Sequence, residues 1–180
     1  SFLVKLEAMR QLIMGTDIII IDPENEYEQM CNMFGGEFVS FSLSSQYKIN
    51  PFELNRESPE PDELSNKILN MHSLMRVIMG DLTPTQDALL DRALVMAYKQ
   101  KGITQDASTF VNEPPLLEDL YKVFLGFETP EAAELATRLE KFIKGSASGI
   151  FNNHSNFDIK NKFTVFGIRD LEENLRPVAM

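Results

Sequence analysis

Three carboxylates, Asp22, Glu24 and Glu26, follow directly on an uninterrupted isoleucine run, Ile18 to Ile21. The carboxyl end of a buried strand is the edge where open α/β sheets bind ligands, and a carboxylate held there can polarise an attacking water. The same residues also suit a purely structural role. Asp22-Pro23 has the form of a helix N-cap followed by proline at the first helical position, and glutamates at a helix's positive end contribute about 0.3–1 kcal/mol each. Farther along, Gly145-Ser146-Ala147-Ser148-Gly149 invites two readings that its residues refuse. A nucleophile elbow needs serine where Ala147 stands, and a phosphate loop needs a lysine after its second glycine. The segment reads instead as a flexible connection.

Composition narrows the chemistry further. The 180 residues carry 17 Lys and Arg against 27 Asp and Glu, a formal net charge of −10. Such a balance opposes a polyanion, and no local basic patch offsets it, so contact with nucleic acid has no support from charge. Cys31 is the single cysteine, and His72 and His154 lie far apart in sequence, which excludes a disulfide scaffold and a Cys/His zinc site. The Ile18–Ile21 run is far shorter than the ~20 residues that span a bilayer. The nine methionines serve as core filler or, as the lesser reading, as part of a partner-binding surface.

The elements that must position these residues change character twice. Leu3, Leu6, Met9 and Ile13 recur at helical spacing over residues 2–14, up to Gly15. Asp17 to Asp22 has the continuous β-branched pattern of a strand covered on both faces, central or near-central in a parallel sheet. A helix is then expected from Pro23 through Met33, broken at Gly35-Gly36, followed by a strand over 37–41, with a further short one admitted over 47–50. From residue 59 helix follows helix. Asp62 is placed to cap a run ending at Gly80, Thr83-Pro84-Thr85-Gln86 is a capping box opening a helix to Gly102, Pro115 begins a third helix to Gly126, and Thr129-Pro130 begins a fourth to Gly145. Strand pattern returns over 162–168 and helical pattern from Asp170. The chain starts at Ser1 without a methionine and ends at Met180 within helical pattern, as a piece of a longer protein would. The expected division is 1–58 as an α/β part, 59–145 as a helical insertion forming its own cluster, and 146–180 as a return to the α/β part.

Four stretches resemble the large ATPase of conjugative DNA transfer and type IV secretion, in the FtsK/HerA-like branch of RecA-type P-loop motors. Ser1-Phe2 followed by an amphipathic helix is similar to the end of a Walker A loop. Ile18 to Tyr27 is similar to the family's strand ending in Asp-Pro-Glu-x-Glu-Tyr, and Ile49-Asn50-Pro51-Phe52 to its Asn-Pro-Phe segment. The helical stretch stands where the family inserts helices into the motor domain. The likeness covers nearly the whole chain. It also has limits: no glycines or lysine of a P-loop precede Ser1, and no apolar strand ending in Asp-Glu supplies a Walker B motif, which in the family would follow soon after Met180.

The resemblance implies α/β fold class, a partial RecA-like parallel sheet interrupted by an α-helical insertion. It implies a fragment of an ATP-hydrolysing motor, with ATP and Mg²⁺ as cofactors of the complete protein and a ring of subunits working with other secretion-system components at the cytoplasmic face of the inner membrane. Carried over residue by residue, it makes Ser1 the Mg²⁺ ligand, places Ser1, Phe2 and Asp22 at the nucleotide, and makes Glu24 and Glu26 the candidate water-polarising carboxylates. Ser1 and Glu24 should then share the carboxyl edge of the sheet. Arg169 and Arg176, after the last strand, become candidates for an arginine offered to a neighbour's γ-phosphate, with surface ion pairing as the alternative. Two rivals stay open: a DNA translocase of the same superfamily, and a non-enzymatic docking module whose working part is residues 59–145.

Overall fold

Strand pattern and helical pattern segregate in space as well as in sequence. The structure, a computed structural model, describes residues 2–42, 45–145, 151–157, 161–171, 173 and 175–179. The chain divides into two compact units, Ser1–Lys48 with Ser155–Met180, and Ile49–His154. The second unit is therefore wider than 59–145, because the Asn-Pro-Phe segment belongs with the helices.

The first unit contains α1 (Phe2–Ile13), β1 (Ile18–Asp22), α2 (Glu28–Met33), β2 (Glu37–Ser40), β3 (Phe163–Gly167) and a last short helix, Arg176–Ala179. The strands form a three-stranded sheet in the order β1–β3–β2. Both pairings are parallel, with Ile18 opposite Phe163, Asp22 opposite Gly167, and Ser40 opposite Gly167 from the other side. Phe163 and Val165 of β3 form a core with Ala8, Met30 and Cys31, and Met9, Leu12, Ile18, Ile20, Tyr27 and Phe38 pack against it. Burial holds the Cys31 thiol above its usual titration range. At Gly36 the backbone passes so close to β3 that a Cβ would lie 2.6 Å from the Phe163 carbonyl oxygen and 2.7 Å from Cys31 Sγ, which leaves room only for glycine. Phe166, on the opposite pleat from Phe163 and Val165, stacks on Phe41 with ring centroids 5.9 Å apart and meets Phe157 at the same separation.

Five expectations need correction here. β1 is an edge strand among the described residues, and β3 takes the central place. Ile19 and Ile21 are 57% and 45% exposed, so one face of β1 is open rather than covered. The helix expected at Pro23 starts only at Glu28, because the Asp22 side chain organises a turn first. Tyr47–Asn50 is not a strand: the Lys48 N–H donates to Asn156 Oδ1 at 2.8 Å and its carbonyl accepts from the Asn156 N–H, so a side chain takes the place of a ladder. The pattern from Asp170 likewise becomes helix only at Arg176.

The second unit holds α3 (Glu63–Met79), α4 (Pro84–Gln100), a 3-10 turn (Ala107–Val111), α5 (Leu117–Leu125) and α6 (Pro130–Ile143). Thr83 forms the full capping box with Gln86, and Thr129 Oγ1 accepts from the Ala132 N–H. Asp62 does not cap α3. It sits in the left-handed region with no side-chain bond to the helix, and Glu63 instead accepts from the Asn55 N–H at 3.2 Å. Leu90, Leu94, Leu117, Leu120, Leu135 and Leu139 are fully buried between the helices. The Asn-Pro-Phe segment is tied into this core. Asn50 Nδ2 donates to the Pro115 carbonyl at 3.0 Å, the Phe52 N–H donates to Asn50 Oδ1 at 3.1 Å, and the Tyr98 hydroxyl donates to the Phe52 carbonyl at 2.8 Å.

Tyr98→Phe leaves that buried carbonyl without its donor and should lower stability by about 1–3 kcal/mol at neutral pH, read from denaturant midpoints. Burial, with Glu63 nearby, pushes the Tyr98 phenol far above its ordinary value. A group whose pKa is raised on folding contributes its stability below the unfolded value, so the advantage of tyrosine over phenylalanine should hold to about pH 10 and shrink above it.

Candidate functional site

The local chemistry at the end of β1 starts with Asp22, which is 2% exposed. Its Oδ1 accepts from the Glu24 N–H at 3.2 Å and its Oδ2 from the Tyr27 N–H at 2.8 Å. Both oxygens thus close the turn that carries the chain from strand to helix. Within the turn Asn25 takes a left-handed conformation, φ 56°, which asparagine tolerates better than most residues. Its Oδ1 is buried without a hydrogen-bond partner among the described residues. It lies over Gly167 of β3, where a Cβ would come within 2.6 Å of it.

From α1, one turn in from its start, Lys5 reaches the same turn. Its Nζ donates to the Glu26 carbonyl at 2.8 Å, stands 3.8 Å from the Glu26 carboxylate, and lies 5.1 Å from the centre of the Tyr27 ring. The Tyr27 phenol is held above its ordinary range by burial, and then by the Glu26 and Asp22 carboxylates. Phe2, Lys5, Asn25, Glu26, Glu28 and Gln29 line an open cleft of about 620 Å³. α1 has no acidic residue in its first turn. Its leading N–H groups lack intrahelical acceptors and its positive end is uncompensated by its own side chains, an arrangement that suits an anion.

The structure brings some of the sequence-derived site residues together and leaves others apart. Phe2 and Glu26 face one cleft. Ser1 lies outside the described residues. Asp22 is committed to the turn, and Glu24 is exposed with its backbone N–H bonded to Asp22. Arg176 donates to the Leu171 and Arg169 carbonyls at 3.3 and 2.8 Å, and Arg169 Nε stands 3.5 Å from Asp170 Oδ1. Both arginines therefore make local contacts in the segment after β3. Of the GSASG segment, Ser146–Gly149 lie outside the described residues. Lys5 and Asn25 were missed by sequence reasoning. Gly167 inside a strand was a readable signal of close approach, whereas nothing local marks Lys5 as reaching 21 residues along the chain.

A nucleotide fits this edge in part. The start of α1 offers amides and a positive end, while Lys5 is already engaged with Glu26 and the described residues supply no phosphate-cradling glycine loop. Among the described residues no cluster of three or more His, Cys, Asp or Glu is placed to hold a metal, and no helix is long and apolar enough to cross a membrane.

A parallel sheet with the site at the carboxyl end of its strands, joined to a separate helical unit, defines a partial RecA-like α/β fold. Among solved structures, VirB4 of Thermoanaerobacter pseudethanolicus superposes with a TM-score of 0.83 at 28% identity, over 98% of this chain and 49% of that one. The chain thus spans about half the length of that protein. No protein-family model matches the sequence, and no curated protein is similar enough to count as a match. The VirB4 likeness agrees with the resemblance carried by the Asp-Pro-Glu-x-Glu-Tyr and Asn-Pro-Phe segments.

Asp22→Ala removes the acceptor of two turn amides and should cost about 2–3 kcal/mol in unfolding free energy. Asp22→Asn, which keeps one acceptor oxygen, should cost roughly half as much. Chemical denaturation of the two variants side by side measures the difference, and equal midpoints for Asp22→Ala and the unsubstituted chain would show that the turn does not depend on this carboxylate.

Proposed function

We propose that the chain is the internal part of an ATP-hydrolysing motor that powers type IV secretion or conjugative transfer, lying between the motor's two nucleotide motifs. The observation that carries the reading is the cleft in which the first turn of α1 meets Glu26, in a chain whose fold is that of half of VirB4. Bound ATP with Mg²⁺ supplies the phosphoanhydride whose hydrolysis such a motor couples to movement. The chain's own residues then have distinct tasks. Ser1 would hold the metal, as a P-loop serine does. The leading amides of α1, starting at Phe2, would bind phosphate oxygens, and Asp22 would fix the turn beside them. Glu26 would orient the attacking water, with Lys5 holding its backbone in place. Glu24, exposed as Glu26 is, is the second candidate for that carboxylate. In a ring of such subunits at the cytoplasmic face of the inner membrane, Arg169 and Arg176, which follow β3 in the chain, are the candidates to offer to a neighbour's nucleotide.

The test uses the full-length protein. Glu26→Gln keeps size and hydrogen-bonding reach but removes the charge, so ATP turnover should fall by about 10²–10⁴ with nucleotide affinity nearly unchanged. Turnover within about threefold of the unsubstituted protein, under ~0.7 kcal/mol of barrier, removes Glu26 from the chemistry. Absence of Mg²⁺-dependent ATPase activity in the unsubstituted full-length protein overturns the motor reading itself.

A further inference from the structure

Lys5 is the one cation among the described residues that line the cleft, and it shares that lining with the carboxylates of Glu26 and Glu28. Its ammonium group has three donors. One goes to the Glu26 carbonyl at 2.8 Å, and the other two have no hydrogen-bond partner among the described residues. The Glu26 carboxylate, at 3.8 Å, lies beyond hydrogen-bond distance, and the centre of the Tyr27 ring is 5.1 Å away. Lys5 is thus bonded to the partner that carries no charge and only stands near the one that does. Nor is the ion pair closed off from water, since the two side chains are 31% and 53% exposed. A pair of that kind is weakly held and yields to a stronger counter-charge.

The helix supplies the place from which such a competitor would come. Phe2 and Lys5 stand three residues apart on α1, so they share one of its faces, and both line the cleft. Helical side chains lean back towards the amino end, and three residues of rise amount to about 4.5 Å, a span within reach of the flexible four-carbon lysine stem. The ammonium can therefore turn towards an anion seated on the leading amides of α1 with no change in the helix backbone. An anion entering there meets two carboxylates of the lining and one cation, so within this lining the demand for counter-charge falls on Lys5. An ammonium is a compact point charge rather than the planar fork that locks an arginine to a carboxylate, and it passes readily from one anion to another.

We propose that Lys5 changes partners when a nucleotide binds. With the cleft empty, its charge rests between the Glu26 carboxylate and the Tyr27 ring. With phosphate on the first turn of α1, Lys5 keeps its bond to the Glu26 carbonyl, turns its other two donors to the phosphate, and leaves the Glu26 carboxylate to face water. The water-orienting group then becomes available only when there is a phosphate to attack. The inference rests on the proposed reading of this cleft as the motor's nucleotide site and adds a means of regulating it.

Fluorine NMR of the full-length protein, with 3-fluorotyrosine in place of Tyr27, reads the exchange without any turnover, because the ring loses a nearby cation when Lys5 turns away. A saturating non-hydrolysable ATP analogue with Mg²⁺ should move the resonance towards the position it holds in Lys5→Met without nucleotide. In Lys5→Met itself, where an unbranched apolar chain keeps the packing of the lysine stem, the analogue should leave the resonance in place. Calorimetry should show the same variant binding the analogue about tenfold more weakly, the scale of one charge-assisted hydrogen bond. A resonance unmoved at saturation, an equal movement in Lys5→Met, or an affinity of Lys5→Met within about twofold of the unsubstituted protein overturns the exchange and leaves the motor reading standing. The first of these needs no variant, so the test holds even if Lys5→Met does not fold. Failure of the unsubstituted full-length protein to bind the analogue sinks the motor reading, and the exchange with it.

Discussion

The first unit depends on a strand that arrives late. Among the described residues β1 and β2 do not pair with each other and each pairs only with β3, so this sheet does not form until Phe163–Gly167 has returned between them. The chain from residue 41 to 162 must be traversed first. Loop-closure entropy rises only slowly with length, by about 0.6 kcal/mol per doubling, so such a detour is thermodynamically tolerable. Its cost is further reduced because most of it is a compact unit of its own, whose helices meet through the buried Leu90, Leu94, Leu117, Leu120, Leu135 and Leu139. What β3 must then supply is strong enough to hold both neighbours: Phe163, Val165 and Gly167 are buried, and at Gly36 and Gly167 the absence of a side chain lets β3 and its neighbours come close.

How much of this was legible in the sequence follows from the range of each interaction. The Thr83 capping box and the Thr129 cap span three residues, so sequence alone places them correctly. The misplaced helix starts have one physical origin, a side chain with more than one local donor or conformation open to it. Asp22 could cap a helix at Pro23 but instead accepts from the Tyr27 amide five residues on, and Asp62 adopts a left-handed conformation while Glu63 does the bonding. The Asn-Pro-Phe segment is a recognisable motif, yet its structural task, bonding Pro115 and Tyr98, spans 65 and 46 residues and no local rule announces it. The type of β1 was readable from its isoleucines. Its place in the sheet was not, since pattern reports what a strand's faces and edges need rather than what this stretch of chain supplies.

The candidate site shows the same division between residue type and residue use. Counting carboxylates along the sequence gives an acidic cluster at Asp22, Glu24 and Glu26, a poor neighbour for an anionic ligand. The structure redistributes that charge. Asp22 spends both oxygens on backbone amides inside the fold, and Lys5 stands 3.8 Å from Glu26, so two of the three negative charges are already answered within the turn. Glu24 is exposed to solvent, where a charge is screened over about 8–10 Å at physiological salt. The start of α1, with no acid in its first turn, therefore keeps a positive end beside carboxylates of which Asp22 is bonded to amides and Glu26 stands against Lys5. Lys5, the cation that stands against Glu26, comes from α1 itself, so the helix whose positive end lies open also carries the charge that compensates the neighbouring carboxylate.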